Sequence, residues 1–109
     1  MAAKIDVKRF RGDTDPLVFT FSKNKVPLDI TGNSYTLSVA TTPDPLTASY
    51  VMQLIGVVTD PLAGVVTFTP TELEADFIGD YYYDIQMVNG LVKKTVVTGK
   101  FKMTQDITK

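Results

Sequence analysis

The sequence predicts an all-β fold, an antiparallel β-sandwich of about seven strands with at most one short helical turn. Three observations carry this expectation. Val, Ile and Thr, which favour the pleated and half-buried strand surface, supply 34 of the 109 residues. Apolar residues alternate with polar ones in short runs bounded by Gly, Pro, Asn or Asp. No periodic segment is long enough for the helix of a βαβ crossover.

Taken in order, Ile5 to Phe10 reads as the first strand, with Ile5 and Val7 on one face and Asp6 and Lys8 on the other. The turn residues Arg11-Gly12-Asp13-Thr14-Asp15-Pro16 end it. Leu17 to Ser22 alternates cleanly, placing Leu17, Phe19 and Phe21 inward. Lys23-Asn24-Lys25 then turns the chain, and Val26 to Asn33 reads as an extended connector, because Pro27 disfavours a central strand. Tyr35, Leu37 and Val39 mark the inner face of a third strand. A loop with Pro43 and Pro45 separates it from the apolar stretch Tyr50 to Val58, which is expected to bend at Gly56. Asp60 to Gly64 is a turn, and Val65 to Thr69 a strand with Val66 and Phe68 inward. Thr71 and Glu74 have the spacing of a capping box, opening one turn that Gly79 stops. Tyr81 to Val88 and Leu91 to Met103 close the chain as a hairpin about Asn89-Gly90. One domain is expected over residues 1–109, since there is neither an internal repeat nor a low-complexity segment.

Composition narrows the chemistry. The chain has no His, Cys or Trp. Disulfides, thiolate nucleophiles and Cys-based metal centres are therefore excluded, as are the commonest general base and the commonest transition-metal ligand. Eleven basic against twelve acidic residues leave a formal charge of −1. That balance, with Arg9 and Arg11 the only arginines, argues against nucleic acid as a partner. No apolar run approaches the roughly 18 residues of a membrane span, so no membrane partner is expected. The sequence starts Met1-Ala2-Ala3-Lys4, without the apolar core of a signal peptide, so passage into the secretory pathway is not expected.

Several constellations of residues bear on chemistry. Arg11-Gly12-Asp13 has the composition of an integrin-binding loop, yet Gly between charged residues is ordinary turn content, and Arg11 with Asp13 and Asp15 is expected exposed at one end of the sandwich. Asp13-x-Asp15 could start a calcium loop with Asp29, Asp60, Asp80 or Asp84, although the EF-hand pattern is absent and turn carboxylates explain these residues as well. Glu72 and Glu74 are two apart in a capped turn and would not face each other across a glycoside. Ser22 and Lys25 have the spacing of a Ser–Lys dyad, but in a hairpin turn where a helix is needed. No enzyme activity, cofactor or bound metal is therefore expected. Tyr81 and Tyr83 share a strand face with Ile85 and Met87 and read as core or corner residues with backbone-bonded hydroxyls, which leaves Tyr82 as an interface candidate. Lys93, Lys100 and Lys102 join it as the outward lysines of a final strand expected at a sheet edge. Arg11 and Asp13 complete the candidate interface set.

Arg11-Gly12-Asp13-Thr14, the strand after Pro16, and then Asp29-Ile30-Thr31-Gly32 resemble the N-terminal domain of tailed-phage baseplate upper proteins and related phage tail structural proteins. Gly79-Asp80-Tyr81-Tyr82-Tyr83-Asp84-Ile85 is similar to that family's G-x-Y-x-Y-x-I strand, and Gly99 to Thr108 to its final strand. The matched motifs run from near the start of the chain to near its end. The resemblance implies an immunoglobulin-like sandwich in a virion assembled in the host cytoplasm. It also implies no catalysis, with other phage structural proteins as partners and self-assembly as one outcome. One departure is that baseplate upper proteins continue into a helical or fibre region, whereas this sequence ends at Lys109. A stand-alone tail or neck component, a hub adaptor and an excised domain all stay open. From the residues alone, a carbohydrate- or cell-surface-binding sandwich is the alternative, weakened by the lack of Trp.

Overall fold

The computed structural model describes residues 3–41 and 50–105. The loop expected at Pro43 and Pro45 and the last residues of the closing motif lie outside that set. The described chain is all-β, in eleven strand segments: β1 (Ala3–Lys4), β2 (Val7–Phe10), β3 (Leu17–Thr20), β4 (Ser22–Lys23), β5 (Val26–Pro27), β6 (Ser34–Ala40), β7 (Tyr50–Ile55), β8 (Val57–Asp60), β9 (Val65–Phe68), β10 (Gly79–Asn89) and β11 (Val92–Thr104). The larger sheet runs β1-β11-β10-β6-β7, with β2 also paired to β11, and the smaller runs β3-β9-β8. They enclose the core between them, so the sandwich expectation is met.

Alternation explains the core. Tyr35, Leu37 and Val39 of β6, Tyr83 and Ile85 of β10, and Val97, Phe101 and Met103 of β11 turn their side chains inward. Leu17, Val66 and Phe68 meet them from the smaller sheet. Phe68 and Phe101 are the largest fully buried side chains, each with an aromatic neighbour edge-on: Phe19 at 5.9 Å for Phe68 and Tyr83 at 5.9 Å for Phe101.

The predicted bend at Gly56 is where the chain leaves one sheet for the other. The Gly56 amide donates to the Tyr35 carbonyl at 2.8 Å, after which β8 pairs with β9. The capping box forms as predicted: Thr71 Oγ1 accepts from the Glu74 amide at 3.1 Å, and Glu74 Oε1 accepts from the Thr71 amide at 2.9 Å. It shapes a turn that buries Ala75 rather than a helix.

Four expectations are corrected. The first predicted strand, Ile5 to Phe10, is shortened to β2 and preceded by the separate segment β1, because the chain breaks register at Ile5 and Asp6. There the Ile5 amide donates to the Thr98 carbonyl at 2.9 Å and Asp6 Oδ1 accepts the Lys100 amide at 3.0 Å. Both segments run parallel to β11, so the larger sheet is mixed rather than purely antiparallel. In consequence β11 is interior from Val97 onward, flanked by β10 and by β1 and β2, so that Lys100 and Lys102 are not edge lysines, whereas the 92–95 stretch with Lys93 pairs only with β10 and does lie at an edge. Finally, the hairpin turn is Gly90-Leu91, since Asn89 pairs with Val92. Gly90 takes φ +58° at the first central position, the place where a type II′ turn requires glycine.

Candidate interaction surface

The breaks and pairings just described assemble a surface on the outer face of the larger sheet. Because β10, β11 and β2 lie side by side, their outward residues align in rows across the strands. Tyr82 lies opposite Lys100, and Asp80 opposite Lys102, which in turn neighbours Lys8. Between these rows is a concavity of about 520 Å³, with Val7, Tyr81 and Phe101 among its lining residues and Asp6, Lys8, Asp80, Tyr82, Lys100 and Lys102 around them.

Three ammonium groups thus face two carboxylates. None of the three lysines is in an ion pair among the described residues. The carboxylate of Asp6 is engaged by the Lys100 amide, filling a ladder position where the parallel strand breaks. Tyr82 offers an aromatic ring at 39% exposure, and its other neighbour across the sheet is Ala40, itself paired with the exposed Tyr50 of β7. Beside this row, Asp84 is half-buried between Thr98 and Ser38, and burial raises its carboxyl above the ordinary carboxylate range.

Beneath the surface, Tyr83 anchors the strand break. Its hydroxyl donates to the Ile5 carbonyl at 2.6 Å. Burial first, and the nearby Asp6 carboxylate second, push the Tyr83 phenol up to about 12. Tyr81 likewise donates its hydroxyl to a backbone carbonyl, that of Ile78 at 2.8 Å. Both tyrosines therefore take the core-and-corner role predicted for them, and Tyr82 is the outward one of the three.

Of the predicted interface residues, the structure brings Tyr82, Lys100 and Lys102 together. Lys93 is exposed near the tip of the β10–β11 hairpin, opposite Val88. Arg11 and Asp13 belong to a turn past the end of β2. The Arg11 amide donates to Thr104 at 2.8 Å, Gly12 to Ala75 at 3.0 Å and Asp13 back to Phe10 at 3.2 Å. These bonds press the turn against the 71–76 segment, so the Arg11 side chain is only 15% exposed and lies 3.8 Å from Asp76. The expectation of an exposed Arg11 is corrected on that ground. Asp6, Lys8 and Asp80 were missed as surface partners. Alternation had already turned Asp6 and Lys8 outward, but nothing local shows that β2 lies beside β11.

The turn carboxylates serve their own turns. Asp29 Oδ1 accepts from the Thr31 hydroxyl at 2.6 Å and the Thr31 amide at 3.0 Å, and these bonds hold its carboxyl below the usual range. Asp60 Oδ1 accepts from the Ala63 amide at 3.3 Å. Among the described residues no three acidic side chains gather where a metal ion could be held.

These features define a β-sandwich module whose larger sheet carries a charge-rimmed, aromatic-flanked groove on its open face. Neither a family profile nor a curated protein matches the chain. Among solved structures, the N-terminal domain of phage TP901-1 ORF48 has the same fold, with a TM-score of 0.60 over 90% of this chain and 83% of that one at 14% identity. An uncharacterized protein from Bacillus anthracis str. Ames aligns over 94% of this chain and 84% of its own at TM-score 0.49 and 11% identity.

Proposed function

We propose that the chain is a virion structural module, a tail, baseplate or neck component that docks to another phage structural protein through the outer face of its larger sheet. The observation that carries this reading is the fold likeness to a phage domain across nine-tenths of the chain, 90%, at only 14% identity. The order of the baseplate-like motifs along the sequence supports it independently. The groove supplies chemistry for docking: an aromatic plate at Tyr82, three lysines without ion-pair partners among the described residues, and the exposed carboxylate of Asp80. No catalytic step is assigned.

The test pairs genome and particle. Genes for tail or capsid proteins should flank this one, and the chain should be found by mass spectrometry in purified particles. A gene set with no virion protein near it, and particles that lack the chain, would contradict the reading. A second reading, binding of a carbohydrate or cell-surface ligand, is favoured by one observation, the exposed Tyr82 ring beside the groove. On a glycan array the wild-type domain should then bind a defined glycan and Tyr82→Ala should lose it.

A further inference from the structure

An exposed sheet edge presents a row of free N–H and C=O groups, and proteins that must stay apart guard such edges with charge, proline or brevity. Most edges here are guarded. The β1–β2 edge carries Lys4, Lys8 and Arg9. The part of β11 that extends past β1 carries Lys93 and Lys94. Edge strand β3 is four residues long and follows Pro16.

The opposite flank is different. Among the described residues, β7 ends the larger sheet and β8 ends the smaller one, and Gly56 joins them, so a single stretch of chain forms an edge of both sheets. From Tyr50 to Thr59 it contains no charged residue and no proline. β7 itself, Tyr-Val-Met-Gln-Leu-Ile, has the high β-propensity and zero charge of segments that add to other strands. Its outward residues are uncovered, Tyr50 at 57% and Ile55 at 75% exposure. Gln53, also outward, is tied only to Ser38 of its own sheet, its Nε2 donating to that hydroxyl at 3.0 Å.

We propose that β7 pairs antiparallel with β7 of a second copy of this chain, joining the two larger sheets into one. An uncharged edge selects a strand that brings no charge to it, and this chain owns such a strand. A twofold axis at Leu54 sets Gln53 of each copy opposite Ile55 of the other. All four side chains then stay on the outer face, while Met52 and Leu54 continue the inner one. No lysine meets a lysine in this arrangement, as it would at β11. Pairing also terminates itself, because the edges left at the two ends of the joined sheet are the charged β1–β2 edges. A six-residue ladder is shorter than a standard interface of roughly 800 Å² per partner provides, so the dimer is weak, with a dissociation constant on the order of 100 µM. The inference is independent of the groove, since it uses none of the groove residues.

Sedimentation equilibrium from about 10 µM to 1 mM tests it, with the wild type, Ile55→Lys and Ile55→Glu. The wild-type mass should rise from 12.0 kDa toward twice that value. Each charged variant alone should stay monomeric with an unchanged melting temperature, and an equimolar mixture of the two should associate again. In the wild type, amide exchange within 50–55 should slow as concentration rises, a readout that needs no substitution. A wild type that stays monomeric throughout, or charged variants that associate as strongly as it does, would overturn the proposal.

Discussion

Gly99 carries more of the structure than its size suggests. A Cβ there would lie 2.0 Å from the Ile5 carbonyl oxygen and 3.1 Å from Cε1 of Tyr83. The obstacle is backbone, so Gly99→Ala must push β1 and the Ile5–Asp6 break away from β11. We expect a loss of about 3 kcal/mol in denaturant unfolding, at the upper end for overpacking. Tyr83 holds the same break from the other side. A phenol raised to about 12 in the folded state, against an unfolded value near 10, stays neutral longer in the native protein. The native state thus binds more protons between those values, and stability should fall as pH rises from about 10 to 12. Tyr83→Phe should remove that alkaline slope while lowering stability at pH 7, because the Ile5 carbonyl loses its donor. Asp84 has the same sign at the acid end. Its raised carboxyl means that the fold favours the protonated form, so stability should decline as pH rises through the folded value. Asp84→Asn should therefore raise the melting temperature at pH 7, and the gain should vanish near pH 3, where the wild-type carboxyl is protonated as well.

At the scale of elements, turns decide register. The β4–β5 hairpin turns on Asn24 and Lys25, with φ +52° and +66°, the two left-handed positions of a type I′ turn. Lysine is a poor occupant of the second, so Lys25→Gly should stabilise by roughly 0.5–1 kcal/mol in chemical denaturation. The same turn chemistry explains what was legible in the sequence. Alternation placed Tyr35, Leu37 and Val39, then Val66 and Phe68, then Tyr83 and Ile85 on the inner face, and all are buried. Thr71 and Glu74 announced their reciprocal bonds, and Gly56 its corner. Long-range pairing was not legible. β1 and β2 join β11 in parallel across more than ninety residues of chain, as in Ala3 opposite Val97, and no local signal encodes that neighbour. The lysines of β11 pointed to an edge, which holds for Lys93, yet β2 brings Lys8 alongside Lys102 on an open face. The one-residue slip from Asn89-Gly90 to Gly90-Leu91 has a similar cause. Glycine was required at one turn position, and the strand register, with a bulge after Ile85, chose which.

At the scale of the molecule, the two long strands β10 and β11 form the spine of the larger sheet. The larger sheet keeps one face for the core and leaves the other open. On that open face Tyr82, Lys100 and Lys102 meet Lys8, Asp6 and Asp80 around the groove. The docking proposed for this face separates cleanly from folding, because Lys100 and Lys102 are exposed and make no side-chain bond among the described residues. The most direct measurement is particle incorporation. Lys100→Glu with Lys102→Glu would be introduced into the genome that encodes the chain, and the content of purified particles quantified by mass spectrometry beside the melting temperature of the isolated protein. The expected result is a melting temperature within a few degrees of wild type and at least a tenfold loss of the chain from particles, a change of about 1.4 kcal/mol or more in docking. Wild-type incorporation by the double variant would contradict it.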